Sequence, residues 1–351
     1  MNTHIVSKKN QIKSVLFVVI LMTVTIIVIL KEYSMAELIR VTKSIHPYYL
    51  IAGISMMILY VGCQAMNFYI ILNTLKVPVK YRYCIEYAYV GNYFGAITPG
   101  ASGAQPAQLY YMNKDNIHVD ISAITVLSMV ISSQIVILLT GGVLATLRFS
   151  HVVGYDRWLR YLMIAGGIVI LFLTLLVFAL MFMKGAIPFL FQILLKIGTK
   201  VRLIKNPKVL AAKFEAGILS YREKAKMLRR HPELIVKVFA VTMLQWFAYY
   251  MVTYLVYLSF GHREYGLFDL ITGQSMISLA VAAVPLPGSV GIAENAYLHI
   301  FGQFYTPEEL PSAMILSRLI NFYLPLFISF FVYLHIHFRV IRQRLIYKKE
   351  N

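Results

Sequence analysis

Charge is scarce in this chain. Only 14% of its 351 residues are Asp, Glu, Lys or Arg, where soluble domains carry about 25%, so an ordinary soluble domain of this size is excluded. Cysteine is nearly missing: Cys63 and Cys84 are the two in the chain. Two cannot build a disulfide framework, no metal-ligand cluster surrounds them, and they read as small buried hydrophobes. Acids number 15 against 33 basic residues. Enzyme signatures are missing too: there is no G-x-S-x-G, no Walker A motif, no H-E-x-x-H and no D-x-D pair. No cofactor or metal is expected; His335-x-His337 reads as interfacial.

What is present is apolar surface, at 59% of residues. Runs long enough to cross a hydrocarbon core of about 30 Å recur along the chain. Six candidate spans are Val15–Leu30, Tyr48–Leu72, Ile121–Leu147, Leu159–Met183, Leu234–Phe260 and Leu310–His337. The first follows Lys8, Lys9 and Lys13 and has the look of a secretory signal. No small-residue cleavage site follows it, so it reads as a retained helix.

Two further apolar segments, Tyr83–Met112 and Leu267–Phe304, carry helix breakers. The first contains "NYFGAITPGASGAQPAQLYYM" from Asn92 and the second "AAVPLPGSVGIAENAYLHIF" from Ala282. The arm before each Pro-Gly reaches about 25 Å, short of a comfortable crossing. Each segment is therefore expected to be a re-entrant hairpin, since irregular backbone at membrane depth is tolerated only inside protein or beside a cavity.

Basic residues orient the chain. Twelve Lys/Arg lie in Lys184–Glu233 and five in Arg339–Lys349, the pattern of cytoplasmic segments facing anionic lipid. With both termini cytoplasmic, the order is span, span, hairpin, span, and then the same again. The hairpins then enter from opposite sides, which is an inverted-topology repeat. Pro99-Gly100-x-x-Gly103 matches Pro287-Gly288-x-x-Gly291, and "SAITVLSM" from Ser122 matches "SAMILSRL" from Ser312. The fold class is thus an all-α polytopic membrane protein of about six transmembrane helices plus two Pro-Gly hairpins. Its parts are a first repeat over 1–183, a connector over 184–233 and a second half over 234–351. Within the connector, Leu190, Ile193, Leu194, Ile197, Val201 and Ile204 share one face of a basic amphipathic helix. That helix either lies on the inner leaflet or is a solvated link between the halves.

Half-helix N-termini at the breakers expose unpaired N–H groups and a positive dipole end, a setting that holds anions. Pro106 suits the first turn of such a half-helix. The plainer alternative is close helix crossing through small residues. Embedded charges are few: Glu86, Asp269 and Glu294 among the acids, and Arg318 deep in an apolar run. A charge there needs a partner or water. Glu294–Arg318 is the expected pair, as a structural tie or as part of a headgroup site. Glu86 reads as interfacial with Arg82 at i−4, and Asp269 as a span end. The substrate-binding candidates are Pro99, Gly100, Gly103, Gln105, Gln108, Pro287, Gly288, Gly291, Glu294 and Arg318. Ser132, Ser133 and Gln134 are further polar groups of the first half. Trp246, Tyr250, Tyr254 and Tyr257 form an aromatic stripe that either packs or lines a groove.

These paired motifs, with "PLPGSVGIAEN" followed by "SRLINFYLPL", resemble the membrane region of lysylphosphatidylglycerol synthases. That flippase-like region of the multiple peptide resistance factor also occurs as stand-alone bacterial membrane proteins. The resemblance covers about 10–340. Family members often carry Gly-Gly-Glu or Gly-Gly-Gln where this chain has Gly103-Ala104-Gln105, and an Arg where it has Met129. Both departures argue against a titratable pair in the first half. The full-length synthase adds a soluble domain that transfers lysine from aminoacyl-tRNA to phosphatidylglycerol, and its membrane region moves the product outward. This chain is expected to lack that domain. The resemblance implies a lipid translocase of the bacterial plasma membrane. Its substrate would be an anionic or aminoacylated phospholipid or a lipid-linked saccharide. The rivals are a membrane transferase using Glu294 and a non-transporting partner that docks a separate synthetase on 184–233. Nucleic acid binding is not expected.

Overall fold

A computed structural model describes residues 46–147, 157–183 and 231–350, with a few isolated positions between 185 and 226. The expected first span, Val15–Leu30, and the amphipathic face of the connector lie outside the described residues.

The described chain is helical throughout. Helix α1 is Pro47–Thr74, α2 Tyr81–Ile97, α3 Ala104–Lys114, α4 Val119–Leu147 and α5 Arg157–Phe182. After the connector come α6 Pro232–Ser259, α7 Leu267–Ala282, α8 Ile292–Phe301 and α9 Leu310–Arg318. A π-helical turn, Leu319–Tyr323, leads into α10, Leu324–Glu350. Proline starts α1, α6 and α9, where its missing N–H is one that a helix leaves unpaired anyway.

Five helices are long and apolar enough to cross a membrane: α1, α4, α5, α6 and the run from α9 through α10. They match the five expected spans that fall within the described residues. Inside α4, Ser122, Thr125, Ser128 and Thr140 each return a hydroxyl to a carbonyl four residues back. That satisfies their donors where no water competes. The outer face of α5 exposes Ile164, Ile168, Leu171, Phe172, Leu175 and Phe178, a surface suited to lipid chains.

The two breaker segments each fold as two short helices joined by a turn: α2 and α3, then α7 and α8. By length these helices rise about 15–25 Å, less than a full crossing. They sit in two cores. One gathers the C-terminal half of α1 with α2, α3, the start of α4 and α10 around Phe68, Tyr87 and Tyr93. The other gathers the N-terminal half of α1 with α5 to α9 around Tyr257, Tyr297 and Phe301. The long helices α1 and α6 pack along each other between the cores, tied by an Asn67 amide donating to Thr242 at 3.0 Å. Packing partners exchange across this pair: α2 lies on α10 while α7 lies on α4.

What holds each broken pair differs. Helix α7 is pressed against α5 so closely that a Cβ on Gly166 would sit 1.7 Å from the Leu279 carbonyl. Small residues permit that approach. Helix α2 is instead fastened to α10 by charge. Arg339 Nη1 donates to Glu86 at 2.5 Å and its Nη2 to Asp115 at 3.1 Å, and its guanidinium lies 4.7 Å from the Tyr83 ring centroid. Arg82 reaches the other Glu86 oxygen at 3.4 Å. The Tyr87 hydroxyl donates to Asp115 at 2.9 Å. Glu86 was expected at the interface and Arg339 in a basic tail. Both are packed inside, because each neutralises the other.

Candidate functional site

The second turn begins where α7 runs into Pro285 and Pro287, which cannot donate to a helix. Gly288 and Ser289 then take positive φ, 59° and 51°. At Gly288 no side chain fits, since a Cβ would lie 2.3 Å from the Phe322 ring. The chain turns into α8, whose first amide is closed by its own carboxylate: the Gly291 N–H donates to Glu294 Oε2 at 2.6 Å. The other oxygen, Oε1, accepts from Arg318 Nε at 2.7 Å. Arg318 Nη2 donates to the Gly288 carbonyl at 3.1 Å. The expected Glu294–Arg318 pair is therefore formed, and it clamps the turn from both sides.

Arg318 owes its position to the helix defect after it. The π-turn Leu319–Tyr323 brings Phe322 to 4.5 Å and Tyr323 to 6.0 Å from the guanidinium, in cation–π range. Single π-turns inside α-helices recur at functional positions. The pair is mostly buried, at 13% and 14% side-chain exposure. Two of five guanidinium N–H groups are used; the other three have no partner among the described residues.

The first turn repeats the positive-φ pair and the turn hydrogen bonds of the second, and departs at the fifth position, where Gly103 has φ −81° and Gly291 φ 85°. Gly100 and Ala101 take φ 57° and 56°. Ala101 N–H bonds to the Thr98 carbonyl as Ser289 N–H bonds to that of Leu286. Ser102 bonds to Pro99 as Val290 bonds to Pro287. Here Gly103 N–H donates to the Thr98 hydroxyl at 2.8 Å, with no carboxylate involved. Gln108 reaches back to the Tyr87 carbonyl at 3.3 Å and rests on Gly91, so it ties α3 to α2. Gln105 is half-buried and forms no hydrogen bond with a described residue. Of the further first-half groups, Gln134 accepts from Thr174 of α5 at 3.1 Å.

The two tips meet. Pro99 and Pro287 form an isolated antiparallel β-bridge, and Gly100 faces Pro285, whose Cβ lies 3.6 Å from the ideal Cβ position there. Neither proline has an N–H, so the bridge is carried by the neighbouring peptides. Pro99, Gly100, Ala101, Ser102, Pro285 and Leu286 are exposed around this meeting point. All ten candidate residues lie on the two turns, the short helices after them, or α9. The site missing from the sequence reading is the Glu86–Asp115–Arg339 cluster. Its one signal was Arg339 standing directly after an apolar run, four residues beyond His335.

Helices α1, α2 and α6 bring amides and rings together. Asn92 donates to Gln64 at 3.1 Å. Tyr60, one turn before Gln64, packs edge-on to Trp246 and tilted to Tyr249 at 6.3 and 5.7 Å. Helix α6, which carries Tyr249, packs on α9, which carries Arg318. Within the predicted aromatic stripe, Tyr250 and Tyr257 are buried by ordinary packing. Asp269 accepts from Gly266 N–H at 3.0 Å and starts α7, as a span end should. No group of His, Cys, Asp and Glu among the described residues is arranged to hold a metal.

The profile of the family described as "Lysylphosphatidylglycerol synthase TM region" matches residues 11–329. A UPF0104 membrane protein of Archaeoglobus fulgidus is 26% identical over 324 residues, covering 88% of this chain and 93% of that one. A UPF0104 membrane protein of Pyrococcus horikoshii is 23% identical over 317 residues, with the same coverages.

Proposed function

Because the chain belongs to the lysylphosphatidylglycerol synthase transmembrane-region family, we propose that it moves a phospholipid or lipid-linked saccharide between membrane leaflets. The carrying observation is the Glu294–Arg318 clamp at one tip of two touching, structurally matched turns. On this reading α2–α3 and α7–α8 are re-entrant hairpins of an inverted repeat. They enter a bacterial plasma membrane from opposite faces, with both termini cytoplasmic. The lipid phosphate takes the free edge of Arg318. The acyl chains stay in the bilayer while the headgroup passes the tips. Access alternates as the two halves rock against each other along α1 and α6.

Glu294 is a poor general base in this arrangement. Both its oxygens already accept hydrogen bonds, one from a cation, so neither is open to take a proton from a substrate. That disfavours the transferase rival.

The test is headgroup accessibility in proteoliposomes holding the protein and labelled phospholipids. Transfer above that of protein-free vesicles, falling at least about tenfold in Glu294→Gln and Arg318→Ala, is the expected outcome. Rates equal to empty vesicles for every lipid tried, or full activity in both variants, would refute it.

A further inference from the structure

From the disposition of the acids, we infer that the lipid this site carries bears an uncharged, hydroxyl-rich headgroup on its phosphate, not an aminoacylated, cationic one. The inference rests on the translocation reading above and narrows its substrate.

An ammonium headgroup crossing the protein needs a carboxylate that is free to meet it. The acids packed inside the described helices are already committed. Glu86 and Asp115 are held by Arg339, and Glu86 by Arg82 as well. Glu294 has one oxygen on Arg318 and the other on Gly291. Asp269 caps α7. At the tips themselves the exposed residues are Pro99, Gly100, Ala101, Ser102, Pro285 and Leu286, with no charge among them. A lysyl group would add positive charge near Arg318, and no uncommitted carboxylate among the acids packed inside the described helices stands ready to offset it, while like charges at close range repel. Substrate phosphate meets the opposite situation, three unused N–H donors on a fixed guanidinium.

The amides and rings that α1, α2 and α6 bring together suit hydroxyls. Gln64 and Asn92, bonded to each other, keep further donors and acceptors. Both are half-buried, as are Tyr60, Trp246 and Tyr249. Neutral amides beside aromatic rings accept and donate to a polyol without requiring charge. Glycerol and sugar headgroups share this chemistry.

The experiment uses the full-length protein in vesicles containing, in separate preparations, phosphatidylglycerol, phosphatidylinositol or lysyl-phosphatidylglycerol. Periodate added outside reads the vicinal diols of the first two, and an impermeant amine reagent reads the third. Phosphatidylglycerol or phosphatidylinositol should cross at least about tenfold faster than the lysyl lipid, the effect of an uncompensated charge at membrane depth. Which of the two is faster separates a glycerol from a ring polyol. Gln105→Glu, and independently Gln64→Glu, each supply an uncommitted carboxylate and should narrow the ratio in favour of the lysyl lipid. Equal or faster movement of the lysyl lipid in the unaltered protein overturns the inference while leaving translocation standing. No lipid moving faster than in empty vesicles overturns the translocation reading, and the inference falls with it.

Discussion

The turn at Pro99–Gly103 and the turn at Pro287–Gly291 share their first four positions and differ at the glycine that closes each. Both place two consecutive residues at positive φ and both make the same pair of turn hydrogen bonds. They part at the last amide before the following helix. In the first turn a hydroxyl from upstream accepts it. In the second a carboxylate from downstream accepts it, and that carboxylate recruits an arginine from a third helix. A shared turn core thus serves a neutral tip and a charged one. The difference lies in the closing glycine, which has φ −81° at Gly103 and 85° at Gly291, and in where its N–H finds an acceptor.

The comparison extends to how the first arm of each hairpin is held, by charge near its base in one and by close packing near its tip in the other. The largest expected effect follows from this. Arg339→Ala strands two buried carboxylates and should lower stability by about 3–5 kcal/mol, read as a loss of melting temperature in detergent. Arg318→Ala strands one carboxylate that keeps its Gly291 N–H, so its loss should be smaller, about 2 kcal/mol, while transport falls further than for any other single change. Equal stability losses would erase the distinction between a structural cluster and a functional one.

Gly288→Ala meets both a positive φ and the Phe322 ring, and should cost more than the 1–2 kcal/mol that left-handed backbone alone costs, very roughly. Gly100→Ala meets the same positive φ but only ordinary contact with Pro285, and should stay at about 1–2 kcal/mol. Parallel thermal unfolding of the two variants measures the gap, and a reversed order would break the assignment of the second turn as the tighter one. Thr98→Val removes the acceptor of Gly103 N–H and should cost about 1 kcal/mol, whereas Glu294→Gln should leave Gly291 bonded.

The smallest effect is with pH. Partial burial alone would raise the Glu309 carboxyl, but hydrogen bonds from His262 and Thr306 outweigh it and hold the group below the usual carboxylate range. A depressed folded-state value stabilises above the unfolded value of about 4.3 and loses that contribution as pH falls through the folded one. Glu309→Gln should flatten the acid limb of a stability–pH curve slightly and leave it unchanged near neutrality.

The spans were legible because length and apolar content report membrane crossing directly, with no need for tertiary information. The breaks were legible because Pro and Gly act locally. The Glu294–Arg318 pair followed from the cost of isolated charge in an apolar run. What stayed hidden depended on contacts across the whole chain. Arg339 reads as one more cation of a basic terminus until α2 brings Glu86 and Asp115 beside it. Glu86 reads as an i−4 partner of Arg82, and that pair forms at 3.4 Å; its second partner, Arg339, comes only from tertiary packing. The meeting of Pro99 with Pro287 has no sequence signal, since a β-bridge of one residue pair leaves no periodicity.

That bridge sets how hard the two tips are to part. The short helices behind the two tips pack mainly on different neighbours, so the direct joint between them is a peptide or two wide. Parting it exchanges a few hydrogen bonds, each worth about 1 kcal/mol net, for contacts with whatever comes between. The joint between the tips themselves is therefore worth only a few multiples of thermal energy, while the packing of α1 along α6 carries the hold between the two cores.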